Sequence, residues 1–208
     1  DMSHELRTPL SRMAVALESD LDEPGLRQRV ARELVQMRTL VNDALTLGWQ
    51  DTESGEGAQE SISLLALWDV VSDNAVFESG WERSRFPCDL PADAQVHGNL
   101  NVLAQVLENL VRNAVRYSPP KGRISLSGVR EGGWWHLWIT DQGPGVPADR
   151  LEDIFAPFVR LDSARAADSG FGLGLSIARR SVQRLGGELW AENVCPGLRV
   201  HLRLQAAV

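Results

Sequence analysis

Two apolar stripes near the start of the chain set the tightest limit on what it can fold into. Leu6, Leu10, Met13 and Leu17 recur at steps of four, three and four; after the breaker Asp22-Glu23-Pro24-Gly25, a second stripe runs Leu26, Val30, Leu34, Met37, Val41 and Leu45. That spacing lines up one narrow face of a helix, so the segment predicts two antiparallel helices. A lone hairpin this small cannot cover its own seam. The economical solution is a homodimer whose two hairpins form a four-helix bundle.

From Gln50 to Glu60 the sequence QDTESGEGAQE carries almost no apolar side chain and two glycines, the composition of a linker. The expected organisation is therefore a helical unit over 1–49, a linker over 50–60 and a second domain over 61–208. In that domain the patterning predicts a short strand at Ser61 to Leu64, a helix at Leu65 to Glu78, and extended segments near Arg85 to Leu90 and Gln95 to Gly98. A helix at Asn99 to Arg116 follows, then a hairpin of Arg123 to Val129 and Trp134 to Thr140, a helix at Leu173 to Leu185, and strands near Glu188 to Glu192 and Leu198 to Leu204. Helices and antiparallel strands are segregated, which gives an α+β fold with an α/β sandwich as its second domain.

Composition removes several function classes. Lys and Arg number 21 against 28 Asp and Glu, a formal charge of -7, and an acidic surface repels the phosphate backbone that a nucleic-acid binder must neutralise. Cys88 and Cys195 are distant and neither belongs to a C-x-x-C pair, so neither a zinc site nor a disulfide framework is expected, and the compartment reads as reducing. No apolar run approaches the roughly 18 to 20 residues needed to cross a bilayer. The chain opens on Asp1 within patterned sequence, so it is expected to be the carboxy-terminal part of a longer protein, anchored in a membrane upstream.

His4 lies about 160 to 180° around the first helix from the centre of the apolar stripe, with Thr8 one turn along, and so should face water. Glu5 offers a carboxylate within reach of an imidazole nitrogen. A histidine is mostly neutral at pH 7, hence nucleophilic once its ring proton is held. Pro9 removes one helical donor and frees the carbonyl of Glu5, bending the helix beyond the histidine.

In the second domain, Leu103, Leu110 and Ala114 mark the core face of the Asn99 to Arg116 helix, and Asn109, Asn113 and Arg116 share a neighbouring stripe. An Asn oxygen can ligate Mg²⁺, and Arg116 can pair with a phosphate. Asp141 has the parity of Trp135, Leu137 and Ile139, which sets a carboxylate at the end of a core-facing row. Gly143-Pro144-Gly145 follows at once, where a planar ligand can approach the backbone and an adenine amino group can supply a donor. Gly170-Phe171-Gly172-Leu173-Gly174-Leu175 opens the next helix, a plausible phosphate cradle. It is not a Walker A loop, because no Lys-Ser/Thr follows; Gly143-x-Gly145-x-x-Ala148 fails as a dinucleotide fingerprint because Pro144 and Pro147 interrupt it. The stretch Asp162 to Ser169 between these boxes reads as a lid, with Arg160 and Arg165 able to reach phosphate oxygens.

In order and spacing these motifs resemble the catalytic core of sensor histidine kinases of two-component signalling, a HisKA-type hairpin followed by a GHKL-type (Bergerat) ATP-binding domain. The H box is Ser3-His4-Glu5-Leu6-Arg7-Thr8-Pro9, the N box centres on Asn109-Leu110-Val111-Arg112-Asn113-Ala114, and the G1 box is Asp141-Gln142-Gly143-Pro144-Gly145. The F box is Phe155-Ala156-Pro157-Phe158 and the G2 box runs Gly170 to Gly174. The resemblance implies that His4 is the phosphoacceptor and Glu5 its general base. It implies that Asn113 and Asn109 lie on the Mg²⁺ side of bound ATP and that Asp141 reads adenine. Gly143, Gly145, Gly170, Gly172, Leu173, Gly174 and Leu175, with Arg116, Tyr117 and Arg160, would line the nucleotide. Thr8 matches the position implicated in dephosphorylating a partner. Arg116 and Tyr117 stand where many relatives have Lys-Tyr.

The activity implied is autophosphorylation of His4 and relay to an aspartate on a response-regulator receiver domain, with phosphatase activity toward that partner, in the cytoplasmic portion of a bacterial inner-membrane sensor. Related gyrase and Hsp90 ATPases place a water-activating Glu where this chain has Asn109, and an amide cannot take a proton from water. That departure disfavours an ATP-gated clamp. A degenerate dimeric scaffold that binds nucleotide or regulator without phosphorylating itself is the remaining alternative.

Overall fold

The computed structural model describes residues 2–18, 22–27, 29–31, 33–34, 37, 40–41, 59–161 and 171–207, with side chains from Leu6 onward. Helix α1 spans Met2–Leu17 without interruption and carries Pro9 inside it. Beyond the turn, backbone at 23–27, 29–31, 33–34, 37 and 40–41 is helical, as the second stripe predicts. Arg12 of α1 stands 3.9 Å from Glu33 of the facing segment.

The hairpin buries a different set of side chains from the expected stripe. Pro9, Ala16 and Leu40 are buried and Leu6 and Met13 half-buried, whereas Leu10, Leu17, Leu34 and Val41 are 51%, 67%, 53% and 40% exposed. The seam is thus split. One half closes within the chain, and the other half is an apolar face turned outward.

In the second domain a short strand β1 (Glu60–Ser63) pairs antiparallel with β3 (Gln95–Gly98) as a separate two-stranded sheet. β1 begins at Glu60, the last residue of the stretch read as linker. Helix α2 (Leu64–Ser79) starts on the Ser63 cap, whose hydroxyl accepts from the Ala66 N–H, and stops at Gly80. The extended segment expected near Arg85 to Leu90 is instead a single 3₁₀ turn, Arg83–Arg85, followed by the two-residue strand β2 (Cys88–Asp89). Helix α3 (Leu100–Tyr117) is capped by the Asn99 carboxamide, which accepts from the Val102 N–H at 3.2 Å.

Strands β4 (Ser125–Glu131), β5 (Trp134–Thr140), β6 (Glu188–Asn193) and β7 (Leu198–Gln205) join β2 in a five-stranded sheet of order β2-β4-β5-β7-β6. All neighbours run antiparallel except β2 and β4, a parallel pair that corrects the all-antiparallel expectation. Helix α4 (Gly174–Arg184) packs beside α3. The inward row of β5, Trp135, Leu137 and Ile139, faces Leu204, Leu202 and Val200 of β7, and this surface packs with Leu103, Leu107 and Leu110 of α3, Trp68 of α2 and Val182 of α4. Burying such side chains contributes about 1.5–3 kcal/mol each relative to exposure. Trp68 is fully buried, and its indole N–H is satisfied by the Phe86 carbonyl at 3.1 Å. The opposite face of the sheet carries His136, Trp138, Trp190, His201 and Glu192. The fold is α+β: a helical hairpin followed by an α/β sandwich. Among the described residues no helix is long and apolar enough to cross a membrane.

Candidate functional site

Asp141 continues the inward parity of β5 by one step and is 5% exposed. A carboxylate there needs donors, and main-chain groups supply them: Oδ1 accepts from the N–H of Gly143 at 2.7 Å and of Leu198 at 3.1 Å. Burial pushes its pKa above the ordinary carboxyl value, and these two hydrogen bonds pull against that shift. Both bonds fall on the same oxygen. Among the described residues none reaches Oδ2, which keeps its acceptor capacity for something else. Gly197 packs so closely beneath this residue that a side chain there would overlap the Asp141 carbonyl.

The next component is set by α3. Its buried face carries Asn109, 7% exposed, whose Nδ2 is buried and has no hydrogen-bond partner among the described residues. Leaving such a donor unmade costs about 1–3 kcal/mol, so it marks a place where an acceptor belongs. It lies against the start of α4, where a Cβ on Gly174 would come within 3.4 Å of Asn109 Oδ1. Among the described residues no side chain caps the first turn of α4, so its N–H groups suit an anion.

Just before α4, Gly172 holds φ +71°, and a Cβ on it would lie 2.7 Å from the Val159 carbonyl oxygen, so only glycine fits. Its own carbonyl accepts from the N–H of Phe158, itself at φ 64°. The F-box end and the G2-box end are thereby tied together. Asn113 and Tyr117 are half-buried on the same helix and Arg116 is exposed. Burial pushes the Arg116 guanidinium below its ordinary pKa, and the nearby charge of Arg160 adds to that depression, a repulsion that a polyphosphate would relieve. The end of α3 also meets the G1 turn, since a Cβ on Gly143 would lie 2.9 Å from the Tyr117 carbonyl oxygen.

The structure thus gathers Asn109 with Gly174, Tyr117 with Gly143 and Asp141, and Arg116 with Arg160. It turns the side chains of Leu173 and Leu175 inward, so only their main chain is free for a ligand. Thr8 is exposed. The side chains of His4 and Glu5, and Gly170 with the expected lid at Asp162 to Ser169, lie outside the described residues; the backbone of His4 and Glu5 is helical. Leu198 and Gly197 were not singled out from the sequence, although the Pro196-Gly197 turn beside a strand was a readable sign of a close backbone approach.

A buried carboxylate with one open oxygen, an orphaned amide and an uncapped helix start suit a base at one end and phosphate oxygens at the other. The donor set fits ATP, and the amide oxygens of Asn109 and Asn113 are of the hard type that Mg²⁺ accepts. The chain belongs to the histidine kinase-, DNA gyrase B- and HSP90-like ATPase family, whose sequence model matches residues 98–208. Residues 1–53 match the His Kinase A (phospho-acceptor) domain, and the two together are those of a two-component sensor histidine kinase.

Sensor protein PfeS of Pseudomonas aeruginosa is 52% identical over 206 residues, covering 99% of this chain and 46% of that protein. Sensor histidine kinase CpxA of Escherichia coli is 35% identical over 198 residues, 93% of this chain and 43% of that one. The chain therefore spans less than half the length of these relatives. Among solved structures, the Acinetobacter baumannii histidine kinase AdeS shares the fold with a TM-score of 0.80 at 24% identity, covering 99% of this chain and 98% of that one. The mycobacterial sensor histidine kinase MprB matches with a TM-score of 0.61 at 27% identity, over 72% of this chain and 98% of that one.

The raised pKa of Asp141 fixes the sign of a stability prediction. An acid whose folded-state pKa exceeds its unfolded value adds stability at low pH and loses it as pH rises through the folded value. Asp141→Asn keeps an acceptor at Oδ1 and removes the charge. Its thermal midpoint relative to wild type should therefore be more favourable at neutral than at acid pH; a difference that does not change with pH contradicts the assignment.

Proposed function

We propose that this chain is the autokinase core of a sensor histidine kinase, which binds Mg²⁺-ATP in the sandwich and transfers the γ-phosphoryl group to His4. One observation carries this reading. Leu40 of the hairpin is buried against Leu173 and Ile177 at the start of α4, with Leu6, Phe158 and Phe171 packed around them. Leu6 lies two residues after His4, so the helix bearing the candidate acceptor rests on the same turn that offers its N–H groups to phosphate.

In the proposed reaction an imidazole nitrogen of His4 attacks the γ-phosphorus, the bond from that phosphorus to the bridging oxygen of ADP breaks, and Glu5 takes the proton from the other ring nitrogen. Asp141 would accept from the adenine amino group through Oδ2. Asn109 would donate to a phosphate oxygen, and Arg116 and Arg160 would neutralise the chain of phosphates. The Asn109 and Asn113 carbonyl oxygens would hold Mg²⁺, which would supply further neutralisation of the phosphates. Catalysis of this kind rests on positioning and charge.

The second step of the proposal is relay to an aspartate on a response-regulator receiver domain. The histidine kinase ThkA, which shares this fold, has been solved in complex with the response regulator TrrA. The exposed position of Thr8, one turn from His4, suits a further role in dephosphorylating that partner. We assign residues 1–49 to dimerisation and phosphotransfer, 50–60 to the linker and 61–208 to ATP binding, within the cytoplasmic portion of a membrane sensor. The outward Leu10, Leu17, Leu34 and Val41 form the face a second hairpin would cover.

With γ-labelled ATP and Mg²⁺, the protein should acquire acid-labile, alkali-stable label, abolished in His4→Gln. Steady release of free phosphate without labelling would support an ATP-driven clamp, and neither result would leave a scaffold. Leu10→Asp with Leu34→Asp should convert the dimer to monomer in sedimentation while the ATP-binding domain keeps its fold; a dimer that persists refutes the assigned face.

A further inference from the structure

Asn193, the last residue of β6, lies far along the sequence from the G1 turn but is bonded to it twice. Its Oδ1 accepts from the Val146 N–H at 2.8 Å, and its Nδ2 donates to the Val146 carbonyl at 2.6 Å. One carboxamide thus pairs with both main-chain groups of one residue, as a neighbouring strand would. The adjoining Gly145 is at φ +73°, and a Cβ on it would lie 2.8 Å from Asn193 Oδ1, so the turn closes directly onto this side chain.

The same turn begins at Asp141 and Gly143, whose N–H is held by Asp141 Oδ1. Its other flank is held by Gln142, whose Oε1 accepts from the Arg123 N–H at 3.0 Å. The segment therefore has fixed points at residues 141, 142 and 146. Asn193 ties the far end of the turn to the strand that leads into Gly197 and Leu198, where the second donor to Asp141 resides. Nothing in the core requires this bond: Asn193 is exposed, and an exposed pair of hydrogen bonds adds little to global stability.

We infer that Asn193 is a positioning residue for the base of the nucleotide, a clamp that holds Gly143 to Val146 in the shape that receives adenine before the ligand arrives. This rests on the nucleotide-binding reading above. Preorganisation of this kind lowers the cost of ordering a loop on binding. The clamp touches no phosphate position, so its loss should weaken ATP and ADP by the same factor. It plays no part in the transfer step, so its loss should raise KM for ATP in autophosphorylation and leave kcat in place.

Asn193→Asp keeps the shape but replaces the donor with an oxygen that faces the Val146 carbonyl; Asn193→Ala removes both bonds. Calorimetric titration with Mg²⁺-ATP and with ADP should show both variants bound roughly five- to tenfold more weakly, equally for the two nucleotides, with thermal midpoints within a degree or so of wild type. Hydrogen exchange in the nucleotide-free wild type should show the Val146 amide protected comparably to Leu198, and this protection should be lost in Asn193→Ala, which has no acceptor for it. Wild-type affinity in the variants, or loss for ATP alone, overturns the clamp while leaving nucleotide binding intact. A wild-type protein that binds neither nucleotide overturns the functional reading and the clamp with it. If a variant unfolds, a rapidly exchanging Val146 amide in the wild type still refutes the proposal.

Discussion

A carboxylate can be held at the end of a core-facing strand row only if the surrounding backbone is arranged to meet it, and Asp141 imposes that requirement on three parts of the chain. Its Oδ1 draws in the G1 turn through Gly143 and the start of β7 through Leu198, while Gly197 must remain bare for the strands to close over it. The Asp141 N–H completes the junction by donating to the Leu198 carbonyl at 2.9 Å. Satisfying one oxygen with main chain leaves the other ready for an external donor. The shape of this junction is thus a consequence of burying a carboxylate, and the proposed recognition of a base rests on the oxygen left over.

The phosphate end obeys a complementary logic. Among the described residues Asn109 Nδ2 meets no acceptor and no side chain caps α4, an arrangement that suits an anionic ligand. Packing of α3 beside α4 holds these two features together and fixes their distance from Asp141. Among the described residues the hairpin meets the start of α4 through Leu40, packed on Leu173 and Ile177, with Leu6, Phe158 and Phe171 around them.

Much of this was legible from local pattern. Alternation along Trp134 to Asp141 gives the strand and places the carboxylate inward, and the helical spacing of Leu103, Leu110 and Ala114, with Asn109, Asn113 and Arg116 at steps of four and three beside them, gives α3. What escaped was non-local. The parallel pairing of β2 with β4 depends on Ile124 and Leu126 donating to the carbonyls of Arg85 and Pro87, and no periodicity records it. Asn193 sits in an ordinary polar strand end and acquires meaning only through the fold. In the hairpin, spacing identified apolar residues correctly but not which edge closes within one chain, because a stripe serving two interfaces looks the same as a stripe serving one.

On this reading a bound nucleotide would span from Asp141 to Asn109 and the start of α4. The most direct measurement is an amide-correlation NMR titration of the chain with Mg²⁺ and a non-hydrolysable ATP analogue, following the Asn109 side-chain NH₂ and the backbone amides of Gly143, Gly172 and Gly174. All of these should shift together on one saturable curve, with the Asn109 NH₂ moving downfield as it gains an acceptor. Shifts confined to other parts of the sandwich, or an Asn109 NH₂ that does not move at saturation, would contradict it.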